Sequence, residues 1–368
     1  MYPNLTKQLP SLLQANMSPG VDATVRLLNG VRTGFIVMEG TCTVTIAVAT
    51  ATGTLNDGSL WALFTKCIFY ENGNFVVQRD ARSMARMTEL LGYAPTSAIR
   101  MGPTLTAGAY KLRDHLIIPF AWPLAVNPWD TPFVAIDQNA PNTVGLQLNT
   151  TAWTGAGTVT ANNVLVTPGA SGTAAVTALT INIVQEFDTD LGLLPTFRPF
   201  MQDLVSPPIT AAITDQIFYI DFPDVLRSLM IQQDTSVGEV GDILTSYQLR
   251  TDTTNIDGNG GDLNFIDRVQ QMVRWFGGAI SAARISQSAN PLVNPAYLFR
   301  NFQSSGRISN VLVRSQIGAN VALWLTGQNS ASGAANTSII RAGMDRLQKV
   351  PGVTNPANQT TNGVAVQV

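Results

Sequence analysis

The sequence predicts a mainly β protein: two β-sandwich halves in tandem with a few short helices. Three observations carry that reading. Short segments rich in β-branched and aromatic residues recur at intervals of roughly ten to fifteen residues, separated by Gly, Pro and Asn. Only 12% of the 368 residues are charged while 45% are hydrophobic, and Gly (30) and Pro (20) are plentiful. That balance is too apolar for disorder and too poor in Glu, Lys and Arg for a coiled coil or helical bundle. Finally, PTFRPFMQDLVSPPIT (195–210) holds four Pro and divides the chain into two stretches of comparable size.

Taken in order, residues 1–20 read as an N-terminal helical arm. Leu5, Leu9, Leu12 and Leu13 are spaced by four and three with Lys7 between them, a short amphipathic pattern weakened by Pro10. Such an arm either packs on a neighbouring subunit or lies on a membrane surface. The first sandwich is expected over 21–195. GFIVMEGTCTVTIAV (34–48) alternates Val44, Ile46 and Val48 with Thr45 and Ala47, the period of a half-buried strand. LWALFTKCIFYENGN (60–74) reads as the next strand, ending in an Asn-Gly turn. A helix follows: Asp80 is its N-cap, Met84, Met87, Leu90 and Leu91 share a face, and Gly92 stops it. TLTAGAYKL, HLIIPFAWPLAV, VGLQLNT, TVTANNVLVT and ALTINIVQEF continue the strand pattern.

Residues 196–210 are read as the linker and 211–350 as the second sandwich. QIFYIDF (216–222), VLRSLMIQ (225–232), YQLRTDTTNI, ISNVLVRS (308–315) and ANVALWLTG (319–327) are strand-like. LNFIDRVQQMVRWFGG (263–278) has helical periodicity, with Asp262 as cap and Gly277-Gly278 as stop. A shorter helix is expected from Asn294-Pro295, carrying Tyr297, Leu298 and Phe302. Residues 351–368 form an uncharged tail without periodicity.

The residue inventory excludes most catalytic chemistry. His115 is the sole histidine, and Cys42 and Cys67 lack the CxxC spacing of a zinc site, so they read as small apolar core residues. DGNGGD (257–262) offers Asp257, Asn259 and Asp262 as a weak calcium-loop candidate, but it lacks the closing bidentate Glu; a Gly-rich turn capping the next helix is the preferred reading. Glu186, Asp188 and Asp190 supply paired carboxylates of the kind used in glycoside hydrolysis. No P-loop, GxSxG or HExxH motif occurs. No enzymatic activity, cofactor or metal is therefore expected.

Charge is unevenly placed. Residues 114–267 carry three basic residues (Arg198, Arg227, Arg250) against seventeen acidic ones, whereas 268–349 carry nine against Asp345 alone. The stretch 79–113 is basic too. This asymmetry points to complementary faces between identical subunits, or to a basic face toward an anionic layer, rather than to direct nucleic-acid binding, for which the arginines are too dispersed. With so few charges, the surface is either neutral polar or hidden against other subunits. The N-terminus lacks the basic start and apolar run of an export signal, and no stretch approaches 18 apolar residues, so a soluble compartment is expected.

The order of these segments resembles the double jelly-roll major capsid proteins of tailless, membrane-containing (tectivirus-like) bacteriophages. GFIVMEGTCTVTI resembles the first long strand of the first roll, LFTKCIFYENGNFVVQR the strand and turn after it, and TLTAGA with HLIIPFAWPLAV the mid-roll strand pair. TINIVQEFDTDLGLLP resembles the last strand of the first roll, and NPAYLFRNF with the strand pair after it takes the matching place in the second. The resemblance spans about residues 20–345; DGNGGD and 328–337 match nothing in it. It implies two eight-stranded jelly rolls side by side, homotrimers of pseudo-hexameric outline, and an icosahedral virion shell over an internal lipid membrane. It also implies minor capsid proteins as partners, synthesis in the host cytoplasm, and an inward arm turning Leu5, Lys7, Leu9, Leu12 and Leu13 to lipid or a neighbouring capsomer. The rival reading is a secreted β-sandwich carbohydrate-binding protein or glycoside hydrolase.

Overall fold

The computed structural model describes residues 6–7, 15–16, 22–47, 52–55, 59–90, 104–121, 134–136, 142–148, 166–168, 173–188, 197–222, 224–235, 238–239, 243–251, 255–257, 297–302, 312–313, 320–330 and 338–349. Its first half contains β1 (Thr6–Lys7), β2 (Ala15–Asn16), β3 (Ala23–Val25), β4 (Val31–Ala47) and β5 (Thr52–Leu55). A 3-10 turn (Ser59–Leu63) then leads into β6 (Phe64–Glu71), β7 (Asn74–Arg79) and helix α1 (Ala81–Leu90). After these come β8 (Thr104–Thr106), β9 (Gly108–Pro119), β10 (Val134–Ile136), β11 (Asn142–Leu148), β12 (Val166–Pro168) and β13 (Thr173–Asp188).

β4 is the spine of a six-stranded sheet, flanked by β13 on one side and by β9 and β10 on the other. Its alternation is the one read from sequence: Ile36, Met38, Cys42, Val44 and Ile46 are buried on one face. β13 matches them with Val176, Leu179, Ile181 and Ile183, and stays in phase through a bulge at Ala178, whose φ is +52°. β9 contributes Leu112, Leu116 and Ile118. The opposing strands run β7-β6-β11-β3. Phe69 of β6 meets Phe120, just after β9, with ring centroids 5.4 Å apart, so the two layers close over an aromatic contact. A separate three-stranded sheet, β12-β5-β8, completes this half.

The second half runs β14 (Phe197–Val205), β15 (Ile213–Tyr219), β16 (Val225–Thr235), β17 (Gly238–Glu239), β18 (Leu244–Arg250) and β19 (Asn255–Asp257). β20 (Tyr297–Asn301), β21 (Leu312–Val313), β22 (Ala322–Gly327) and β23 (Ile339–Lys349) follow. A four-stranded sheet, β15-β22-β18-β19, faces the strands β14, β23, β16 and β20. Between them lies one apolar core in which Phe218, Tyr247, Leu249, Leu323 and Leu325 pack against Leu226, Leu229, Ile231, Leu298, Ile340 and Met344.

The halves are joined by backbone. β14 pairs antiparallel with β23 along its length and parallel with β7 at Met201↔Val77 and Gln202↔Gln78. A ten-stranded sheet therefore runs without a break from β17 to β3. The segment read as linker thus carries a strand. Pro199 stands opposite Leu347 of β23 and outside the two-residue ladder with β7.

Three other local expectations are corrected. Thr6–Lys7 and Ala15–Asn16 are extended, not helical; both pair with the outer edge of β13, whose ladder offers a partner that an isolated amphipathic turn lacks. Tyr297–Asn301 is a strand on β16, so the Asn-Pro helix signal yields to pairing with a buried neighbour. Ser59–Leu63 is a 3-10 turn that buries Leu60, Trp61 and Leu63, an apolar run that periodicity alone does not distinguish from a strand. α1 agrees with its prediction, and the Asp80 cap is explicit: its Oδ1 accepts from the Ser83 N–H at 2.9 Å. The helix expected over 263–278 and the tail 351–368 lie outside the described residues.

Candidate functional site

The densest chemistry lies at the seam between the halves. Strand alternation sends Leu229 and Ile231 into the second core, so Met230 and Asp234 face the other way; on β23, Ile340, Ala342 and Met344 go inward while Arg341, Gly343 and Asp345 face the seam. α1 covers this face, and every residue from Ala81 to Met87 is buried. Four arginines (Arg79, Arg82, Arg227, Arg341) meet four aspartates (Asp80, Asp203, Asp234, Asp345) there.

Arg79 of β7 donates through Nε to Asp203 Oδ1 at 2.9 Å, and its other nitrogens reach Ser83 Oγ and Met87 Sδ. Asp203 Oδ2 also accepts the Asp80 N–H. Arg82 of α1 pairs with Asp234 of β16. Arg227 and Asp345 are fully buried and joined by two bonds of 2.7 and 3.0 Å. The same guanidinium donates to the carbonyls of Phe120 at 2.8 Å and Pro119 at 3.1 Å, in the first half. Burial pushes the Asp345 carboxyl above its ordinary range, opposed by Arg227, Arg79 and Arg346. The fork of Arg227 thus satisfies a buried carboxylate and ties two strand-end carbonyls across the seam.

The site residues proposed from sequence fall elsewhere. Asp257 closes β19 opposite Leu249, while Asn259 and Asp262 lie outside the described residues. Among the described residues, no group of three His, Cys, Asp or Glu side chains could hold a metal ion. Lys7 sits in β1 in register with Glu186; Leu5, Leu9, Leu12 and Leu13 lie outside the described residues. Glu186 and Asp188 share one strand, β13, and Asp190 lies outside the described residues. His115 is half-buried in β9 opposite Glu39. Cys42 and Cys67 are buried and unbridged; burial pushes the Cys42 thiol up to about 12 and raises Cys67 as well, which leaves no thiolate near neutral pH. Sequence reasoning missed the seam because each partner lies in a different segment of the chain. The available signal was that the basic stretch 79–113 and the acidic stretch 114–267 complement one another.

No protein-family model and no curated protein matches this sequence. Solved structures do. The chain is similar to the major capsid protein (MCP) of Sulfolobus Turreted Icosahedral Virus (STIV), at TM-score 0.61 and 10% identity, covering 94% of this chain and 96% of that one. It is also similar to the major capsid protein P2 from bacteriophage PM2 (TM-score 0.54, 9% identity, 95% and 99% covered). The Faustovirus major capsid protein aligns at TM-score 0.52 and 9% identity, with 95% and 90% covered. The chain has the double jelly-roll fold.

In the double jelly roll, the seam is the wall between the two rolls. Few large apolar side chains are exposed among the described residues: Leu28, Phe75, Val205 and Tyr219. Phe75 stands edge-on to Tyr70 (5.4 Å) beside the Asn72-Gly73 turn of the first roll. On the second roll, Tyr219 is 72% exposed at the end of β15, two register positions from Trp324, over which Arg250 stacks at 3.5 Å. Among the described residues, no helix is long and apolar enough to cross a membrane.

Proposed function

We propose that this chain is a major capsid protein, a non-catalytic structural subunit of a virion. It assembles as homotrimers of pseudo-hexameric outline that tile an icosahedral shell over an internal lipid membrane, with neighbouring capsomers and minor capsid proteins as partners and no direct contact with nucleic acid. The observation that carries this reading is the fold likeness over nearly the whole chain to viral major capsid proteins. The domain plan belongs to the same proposal: arm 1–20, first roll 21–195, junction 196–210, second roll 211–350, tail 351–368. Two rolls held at a fixed angle give a three-fold assembly six similar corners, the geometry a hexagonal lattice needs. The arm faces lipid or a neighbouring capsomer through Leu5, Lys7, Leu9, Leu12 and Leu13.

Light scattering on the purified chain, followed by electron microscopy of its source particle, tests this. A stable trimer and hexagonal capsomers are expected, and a monodisperse monomer at micromolar concentration contradicts the proposal. Deleting residues 1–18 is expected to spare the trimer and impair shell assembly.

A further inference from the structure

Gln232 lies within β16 with its side chain fully buried. Because Leu229 and Ile231 belong to the core of the second roll, Gln232 faces the opposite way, alongside Met230 and Asp234, onto the seam and α1. Neither its amide nitrogen nor its amide oxygen has a hydrogen-bond partner in the protein. Turning the amide over changes nothing, since both atoms are in the same condition.

Its register neighbour across the ladder is Arg341, whose buried Nε makes no hydrogen bond either. That Nε stands 3.8 Å from Asp234 Oδ2 and 4.0 Å from Asp80 Oδ2. Both separations exceed direct hydrogen-bond reach, and a shared solvent molecule is the ordinary way to close them. Three orphaned polar atoms from two adjacent strands therefore converge beneath the start of α1.

The surroundings select what fills the site. Arg82 and Arg341 balance Asp80 and Asp234, so the formal charge is zero. The carboxylates oppose an anion and the guanidiniums oppose a metal cation. Gln232 needs a ligand that both accepts from its N–H groups and donates to its oxygen, and one small enough to reach a fully buried amide. We propose that Gln232 and Arg341, with the carboxylates of Asp80 and Asp234, form an internal hydration site that holds ordered water between the two rolls. The seam is then a wet interface in which solvent completes the ion network, rather than a dry continuation of either core.

A high-resolution map of the full-length protein tests this directly. Solvent density within hydrogen-bonding distance of both Gln232 amide atoms is expected. A dry site, or an amide bonded directly to protein, overturns the proposal. Gln232→Met supplies a second test through the sign of its effect. Methionine is similar in length but apolar, so it would raise the thermal midpoint if the amide were buried without partners. If the amide is hydrated, the variant loses those bonds and also strands the Arg341 Nε, lowering the midpoint by about 2 °C or more. An unchanged or raised midpoint counts against the site. The wild-type map remains decisive if the variant does not fold.

Discussion

A hydrogen atom is all that Gly343 can place beneath the Arg79 guanidinium. A Cβ there would stand 1.8 Å from Arg79 Nη2, 2.6 Å from its Cζ and 2.8 Å from Asp203 Oδ1. A free arginine would swing aside, but this one is 1% exposed and fastened to Asp203, Ser83 and Met87. Gly343→Ala must therefore break the Arg79–Asp203 pair while both side chains stay buried. The expected cost is about 3 kcal/mol, readable by chemical denaturation; a loss under about 0.5 kcal/mol, typical of a surface substitution, would show that Arg79 is free to move. Residue-scale legibility in the sequence follows the reach of each interaction. Asp80 was legible as a cap because its partner is Ser83, one turn away. The demand on Gly343 was not, because it comes from a side chain in the other roll.

At the scale of elements, the Arg227–Asp345 pair links β16 to β23 and, through the carbonyls of Pro119 and Phe120, to the end of β9. Removing one member leaves its partner charged and buried, so Arg227→Met alone is expected to destabilise by about 3–5 kcal/mol. Replacing both, with Arg227→Met and Asp345→Leu, is expected to recover much of that loss, because the uncompensated charge disappears. A double-mutant cycle by urea denaturation measures the coupling. Additive losses would mean that the guanidinium serves the β9 carbonyls and owes nothing to Asp345. Elements were legible where one face is apolar and the other polar, as in β4 and α1. Where a strand is buried on both faces, its existence was legible but its burial was not. β16 was read as a strand over 225–232, yet the run from Arg227 to Thr235 mixes polar and apolar residues and all of it is buried. Nor did sequence disclose β14 or β20, whose strand character comes from partners far along the chain rather than from their own residues.

For the whole molecule, the scarcity of charge acquires a second explanation. Part of the small charged complement is inside, balanced four against four at the seam, which leaves even less for the surface. It also reconciles the basic and acidic stretches of the sequence, members of which meet within the subunit. Because β14 is hydrogen-bonded to both rolls and Arg82 of α1 is paired with Asp234 of β16, one roll cannot unfold without stripping the other. Calorimetry of the full chain is therefore expected to give a single transition whose calorimetric and van't Hoff enthalpies agree. Two resolved transitions would show that the rolls are thermodynamically separate.

The short parallel ladder between β14 and β7 has a consequence for anyone cutting this gene in two. Expressed separately, the first roll would end in an open strand at β7, and the second would begin with one at β14. Each would carry unpaired backbone groups and a strip of arginines or aspartates whose counterions are missing. Such fragments invite edge-to-edge sticking, so the junction protects solubility as well as geometry. Mixed together, complementary fragments would have the matching edge and the matching charges to find each other.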